Sequence, residues 1–376
     1  SYDLRTEDVE KLTMHEGYDV LWPSSGPNDK IIYQNGGMLF VLDVDTKEYE
    51  QVPILIKDDE SPIMPYYKNV KDYIQSYDVS PAGNRALFGA RGDIFSVPAK
   101  HGQIRNLTKT SKFREIFPTW SPDGKWIAYY SDEIGEYNIY IMPSKGKEEP
   151  KRISPFIKTW LFPPAWSPDS KKLLFADKEQ NLNYIDIEDG KITIIDSVNY
   201  DDFGSYVWSP DSRWVAYTKV MSNYQRQIFV YSLSQNKVFH LGSGLSNDNE
   251  PVFTQDGKYI AFISMRDFNL KFSDYEFDYL YTNAAKLYVA ALTDDAGPFL
   301  PPKVDEVEIE DKKENDDEIK KDNDKGKENV EIDIDGFAGR VISLPLPTGN
   351  YSNLQASDNV LLYLRNGTLY RFNISE

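Results

Sequence analysis

Trp120-Ser121-Pro122-Asp123-Gly124-Lys125 runs straight into Trp126-Ile127-Ala128-Tyr129-Tyr130-Ser131, and the same arrangement returns twice. WSPDSK from Trp166 leads into KLLFAD, and WSPDSR from Trp208 leads into WVAYTK. Weaker copies are VSPAGNRALFGA from Val79, FTQDGKYIAFIS from Phe253, LWPSSGPNDKIIYQN from Leu21 and LQASDNVLLYLRN from Leu354. Ser80, Ser121, Ser167, Ser209 and then Thr254 follow one another at intervals of 41, 46, 42 and 45 residues. A period of this size with several strands per unit is the mark of a β-propeller. The expected fold is therefore all-β, built of four-stranded antiparallel blades. About seven units fit the chain, six or seven of them in one ring.

The units fall near residues 18–55, 75–108, 115–154, 162–197, 203–242, 249–346 and 351–376. In the clearest, strand a is Phe117–Trp120, strand b is WIAYYS, strand c is YNIYIMPS and strand d is PKRIS. Strand b is continuously apolar, as expected when neighbouring blades cover both faces of the sheet. The final unit has room for three strands. The N-terminal segments YDL and VEKLT either complete it or belong to a separate, truncated propeller. Pro122 presets φ for a type I turn, Asp123 can bond its own backbone two residues on, and Gly124 accepts positive φ. Because Ser170 and Ser212 occupy the place of Gly124, a left-handed residue is not expected to be obligatory there. The repeated aspartates read as turn formers rather than as a metal or charge ring. Trp22, Trp120, Trp166 and Trp208 read as packing between blades rather than as a ligand cage.

The chain has 376 residues, 26 Tyr, 19 Phe, 7 Trp and no Cys. Aromatic richness favours pleated, half-buried surfaces. Absence of Cys removes disulfide frameworks, thiolate zinc sites and thiol nucleophiles. The net charge of −18 repels phosphate backbones, which argues against nucleic acid as a partner. A net of −8 of that charge lies between Lys303 and Asp335. No run approaches the ~20 apolar residues of a membrane-spanning helix, so no membrane partner is expected. The opening SYDLRTEDVEK lacks the basic and apolar regions of a signal peptide and has no initiator Met. It reads as a blade already under way, and hence as a piece of something longer. The expected compartment is cytoplasmic, with the periplasm as the alternative.

The sixth unit is interrupted. FTQDGKYIAFIS supplies strands a and b, and Ala285–Leu292 supplies strand c. An aromatic-rich stretch precedes that strand and a highly charged one follows it. Residues 303–330 carry too few apolar side chains to offset the entropy of ordering them, so they are expected to be a disordered acidic insertion. Order is expected to return at VEIDIDGFAGRVISLPLP, where Ile332 and Ile334 and then Val341, Ile342 and Leu344 restart a strand pattern. Asp333–Gly336 faintly resembles a calcium loop, but it lacks the later Glu and reads as the start of that strand.

Chemistry-bearing motifs are scarce. His15, His101 and His240 have no second His at metal-ligand spacing and read as surface or loop residues. No G-x-S-x-G elbow, phosphate-binding loop or dinucleotide fingerprint occurs, and LGSGLS from Leu241 has the wrong glycine spacing. The reading names no catalytic residue, no cofactor-binding residue and no metal ligand.

The W-S-P-D-G-K repeat resembles that of the TolB, prolyl oligopeptidase and tricorn protease propellers. Residues 79–108, 108–132 and 332–351 are more specifically similar to tricorn-like peptidases. In that family a six-bladed and a seven-bladed propeller precede a mixed domain, a PDZ domain and a serine peptidase core. The resemblance implies that residues 1–55 are the last blade of a first propeller and that 56–376 make most of a second. It implies a non-catalytic portion of a serine peptidase that degrades oligopeptides, controlling the passage of peptides. Partners implied are peptides in the channel, downstream PDZ and peptidase domains, and other copies of the full-length protein. The family's catalytic residues have no matching position here. Whether the chain counts as an enzyme therefore rests on the parent protein. The alternatives are a stand-alone TolB-like protein-binding scaffold and the propeller cap of a prolyl oligopeptidase-like enzyme.

Overall fold

Trp126–Ser131 is extended because it is a run of aromatic and aliphatic residues, ended by a tight turn on one side and by Asp132–Gly135 on the other. Seven sheets repeat this plan. The computed structural model describes residues 1–55, 66, 68–110, 112–146, 148–267, 270–273, 278–281, 283–300, 329–357 and 360–374. The polypeptide divides into two units, Ser1–Lys68 and Asn69–Glu376. The first holds one antiparallel sheet of β1 (Val20–Ser25), β2 (Lys30–Asn35), β3 (Met38–Asp43) and β4 (Tyr49–Gln51), in that order. Tyr2 and Val9 bridge to each other.

The second unit holds six blades. Blade 1 is β5 (Ile74–Val79), β6 (Arg85–Ala90), β7 (Asp93–Pro98) and β8 (Arg105–Asn106). Blade 2 is β9 (Glu115–Trp120), β10 (Trp126–Ser131), β11 (Asn138–Pro143) and β12 (Lys151–Arg152). Blade 3 is β13 (Ala165–Trp166), β14 (Lys172–Ala176), β15 (Asn181–Asp186) and β16 (Ile192–Ser197). Blade 4 is β17 (Tyr206–Trp208), β18 (Trp214–Val220), β19 (Arg226–Ser232) and β20 (Lys237–Leu241). Blade 5 is β21 (Asp248–Phe253) and β22 (Tyr259–Ser264), then β25 (Lys286–Ala291) and β26 (Val341–Ser343). Between β22 and β25 the chain makes a separate hairpin of β23 (Leu270–Ser273) and β24 (Asp278–Tyr281). Blade 6 has three described strands, β27 (Tyr351–Ser357), β28 (Val360–Arg365) and β29 (Thr368–Asn373). Among the described residues no helix is long and apolar enough to cross a membrane.

Each seam between blades is an apolar cluster drawn from both sheets. Leu87 and Ile94 meet Trp120, Ile127 and Met142, and Tyr130 and Ile139 meet Leu173 and Phe175. Leu174 and Leu182 meet Val215 and Tyr217, Val230 meets Ile260 and Phe262, and Leu287 and Val289 meet Leu361 and Tyr363. Across strands b and c, facing aromatic rings stack in several sheets. Tyr129 lies on Tyr140, Tyr217 on Phe229, Phe262 on Tyr288 and Tyr363 on Tyr370, with centroids 5.8, 5.9, 6.2 and 5.8 Å apart. Such pairs fix register, because a one-residue slip would send every ring to the wrong face.

The repeated turn corrects one expectation. Gly83, Gly124, Ser170, Ser212 and Gly257 all lie at φ between 61 and 72°, so the left-handed conformation is kept in every copy from blade 1 to blade 5. A type I turn must be followed by such a residue to rejoin the twist of the next strand. Serine is accepted because its hydroxyl has a second task. Ser170 Oγ accepts the Asp123 N–H and Ser212 Oγ accepts the Asp169 N–H, each at 3.0 Å, which ties one blade's turn to the next. Ser209 Oγ donates to Asp211 and accepts the Trp214 N–H, while Asp211 Oδ1 accepts the Arg213 N–H. The corresponding residues around Ser121, Ser167 and Thr254 do the same. The aspartates are turn formers.

Two further expectations change. Trp22 is 75% exposed, in a β-bulge of β1, and so is not packing between blades; Trp120, Trp166 and Trp208 are buried in seams as read. Asp333–Gly336 starts no strand. Ile332 and Ile334 pack from irregular backbone that the Arg340 guanidinium holds through the Asp333 and Asp335 carbonyls. Residues 303–328 lie outside the described residues; the chain is next placed at Asn329, and Val330 is buried.

One seam buries an acid without a cation. Glu115 begins β9 opposite Ser131, as Asp248 begins β21 opposite Ser264. Asp248 is paired with Arg266 at 2.8 Å, two residues beyond its serine, but the matching residue in blade 2 is Glu133. Glu115 is 3% exposed, accepts one hydrogen bond from Thr110 Oγ1 at 2.6 Å, and leaves Oε2 without a partner among the described residues. Burial pushes its carboxyl from 4.5 up to about 7; the Thr110 and Thr108 hydroxyls oppose this, and Asp93 and Asp132 add to it.

Two stability predictions follow from these contacts. Ser212→Val should cost roughly 2–3 kcal/mol in urea unfolding, because it places a β-branched residue at positive φ and deletes the bond from Asp169; Ser212→Gly should stay within about 1 kcal/mol of the parent. Glu115 is favoured protonated in the folded chain, so its contribution is complete below pH 4.5 and declines as pH rises to about 7, by at most about 3 kcal/mol. Glu115→Gln should flatten unfolding free energy across that window and raise it at pH 8.

Candidate functional site

Each first strand of a blade lies beside the first strand of the next, in the series β5, β9, β13, β17, β21 and β27. These strands line a common axis, and they are irregular. Register shifts interrupt β5, β9, β21 and β27, and Phe117, Glu250 and Asn353 sit there at φ of 50 to 54°. A bulge of this kind re-aims side chains. The Glu250 carboxylate thereby accepts the Leu354 N–H of the next blade at 2.8 Å. In the same way Asp78 accepts the Trp120 N–H at 2.7 Å and the Thr119 hydroxyl at 3.0 Å.

Where strands a turn into strands b, the axis opens into a cavity of about 410 Å³. Five blades contribute to it: Pro122 from blade 2, Trp166 and Pro168 from blade 3, Val207, Trp208 and Pro210 from blade 4, Val252, Phe253 and Gln255 from blade 5, and Gln355 and Ala356 from blade 6. Pro122, Pro168 and Pro210 hold the second place of successive turns, and Gln255 takes that place in the next. The tryptophans are fixed across the seams. Trp166 Nε1 donates to the Thr119 carbonyl at 3.3 Å and Trp208 Nε1 to the Ala165 carbonyl at 3.1 Å. Trp120 is buried likewise, but its Nε1 finds no acceptor among the described residues.

No lining residue ionises, and none is a nucleophile or a general base. A larger cavity of about 540 Å³ lies in the first unit beside Lys30, Asp43 and Glu50. It is an exposed hairpin surface whose Lys30 and Asp43 are already paired at 3.1 Å. The histidines do not form a site. His15 lies in irregular backbone, half-buried among Tyr33, Phe40 and Tyr49, and bonds the Tyr33 hydroxyl at 2.9 Å. His101 lies exposed in the turn after β7, and His240 lies on β20. Among the described residues no three His, Asp or Glu side chains are placed to hold a metal ion. Sequence reading missed the lining of the axis. The signal was present in the proline of each repeat, whose turn-forming role concealed that its ring also faces the centre.

The comparisons with known proteins agree with this architecture. The chain is 25% identical over 368 residues to "Tricorn protease homolog 1" of Streptomyces coelicolor, which covers 95% of the chain and 34% of that protein. It is 24% identical over 368 residues to "Tricorn protease homolog" of Saccharolobus solfataricus, covering 97% of the chain and 31% of the relative. The chain thus spans about a third of the length of these relatives. The crystal structure of the tricorn protease superposes with a TM-score of 0.69 at 17% identity, over 99% of this chain and 36% of that one, and so shares the fold. Residues 74–371 match the family described as the tricorn protease second β-propeller domain, and the chain belongs to that family.

Proposed function

We propose that residues 69–376 are the non-catalytic propeller of a tricorn-like serine peptidase acting on oligopeptides, and that the axis governs the passage of peptides to or from chemistry carried elsewhere. The observation that carries this reading is the axial cavity itself. Five blades converge on it with apolar and amide side chains and with no group able to attack a carbonyl. Catalysis of acyl transfer needs a nucleophile, a base within hydrogen-bond reach and an oxyanion site. The cavity has none of the three, yet it lies in the one part of a propeller that an extended chain can enter and a folded domain cannot.

On this reading the sheet of β1–β4 is the last blade of a preceding propeller, and the PDZ and peptidase domains follow in the same protein. The full-length protein assembles from several copies and works in the cytoplasm.

The purified 376-residue chain should release no fluorophore from quenched oligopeptides above buffer. In the full-length protein, the double substitution Gln255→Trp and Gln355→Trp should narrow the axis. It should lower kcat/KM for peptides of ten or more residues by about tenfold and leave dipeptide and tripeptide substrates nearly unchanged. Hydrolysis by the chain alone, or equal loss for short and long substrates, would overturn the reading.

A further inference from the structure

No side chain lining the axial cavity is ionisable, in a protein of net charge −18. The carboxylates of the turns next to the lining are held back by backbone and hydroxyl donors through one oxygen each. Asp123, Asp169, Asp211 and Asp256 each accept a hydroxyl and the N–H two residues on. Asp78 and Glu250 are engaged by N–H groups of the neighbouring blade. What faces the opening is a rim of prolines and valines, with two exposed glutamines on one side. Neither side-chain carboxamide, of Gln255 or of Gln355, has a hydrogen-bond partner among the described residues, so each presents a free donor and a free acceptor.

We propose that this cavity is a binding site for an extended peptide segment with uncharged side chains, its backbone amides engaged by Gln255 and Gln355. The inference rests on the reading of the axis as a peptide path and adds the chemical class it takes. An extended backbone presents unpaired N–H and C=O groups, which match a carboxamide, and its small apolar side chains match the proline rim. A charged side chain of either sign would lose hydration there and meet no counter-charge. The walls are already rigid, through proline and the cross-seam tryptophan bonds, so little ordering opposes binding.

The test is a set of fluorescein-labelled octapeptides, acetylated and amidated, titrated with the 376-residue chain by anisotropy. One has an uncharged Ala/Val/Gln centre; two carry a single central Lys or a single central Glu. The uncharged peptide should bind, and both charged centres should weaken binding by at least about tenfold. Gln355→Glu should weaken the uncharged peptide and strengthen the Lys peptide, with an unchanged urea midpoint showing that the fold is intact. No binding of the uncharged peptide overturns the proposal. So does tighter binding of the Lys peptide to the parent chain, which would mean attraction to the acidic surface. Failure here is separable from failure of the peptide-path reading. If the tryptophan plug slows long substrates while charged and uncharged octapeptides bind alike, only the chemical class is wrong. If the plug has no effect while the uncharged octapeptide binds, the path is wrong and the site stands.

Discussion

Blades 2 to 5 each expose an apolar side chain on both faces of the sheet, and that constraint organises the second unit. In blade 2, Ile127 and Tyr129 point to one side and Ala128 and Tyr130 to the other, and all four are buried. A two-faced sheet cannot stand with one side in water, as a half-polar sheet can. It needs a neighbour on each side. The seam clusters follow directly, since residues of one parity join the preceding blade and residues of the other parity join the next. At about 25 cal/mol per Å² of apolar surface, these seams are the main favourable term in the fold. The polar contacts choose among arrangements that burial would allow.

Most of that choice is made at one turn. Its serine and aspartate satisfy two backbone N–H groups at a chain reversal, and its left-handed residue restores the strand twist. In blades 3 and 4 that residue also bonds the turn of the blade before. This explains how much of the fold could be read in advance. The spacing of Ser80, Ser121, Ser167, Ser209 and Thr254 placed the blades, since hydrophobic strands and turn residues are local signals. The conformation of Ser170 could not be read, because its compensation comes from Asp123, 47 residues away in sequence. Trp22 was misjudged for a related reason. A tryptophan before a turn looks the same whether or not a bulge turns it outward.

The candidate site was less legible. Each axis-facing residue looks like part of a turn or strand, and only closure of several blades around one line turns these residues into a lining. Bulges at Phe117, Glu250 and Asn353 break the two-residue period on which strand reading depends. The contrast between Glu115 and Asp248 was hidden in another way. Both are acids at equivalent positions, and the difference lies in whether Arg266 or Glu133 occupies a site two residues past the end of the next strand.

The chemistry of the turn also bears on what the axis can do. A propeller built from an acidic turn repeat brings one carboxylate per blade toward the centre, and a ring of unpaired carboxylates there would repel anions and trap cations. Here the hydrogen bonds that close the turns hold one oxygen of each carboxylate against the backbone, and no carboxylate is among the side chains that line the cavity. Proline beside Asp123, Asp169 and Asp211 covers those turns with hydrocarbon. The turn thus makes the reversal, joins blades 2 to 4 and leaves a passage lined by uncharged side chains. The lining of the axis is a consequence of how the fold satisfies its own backbone.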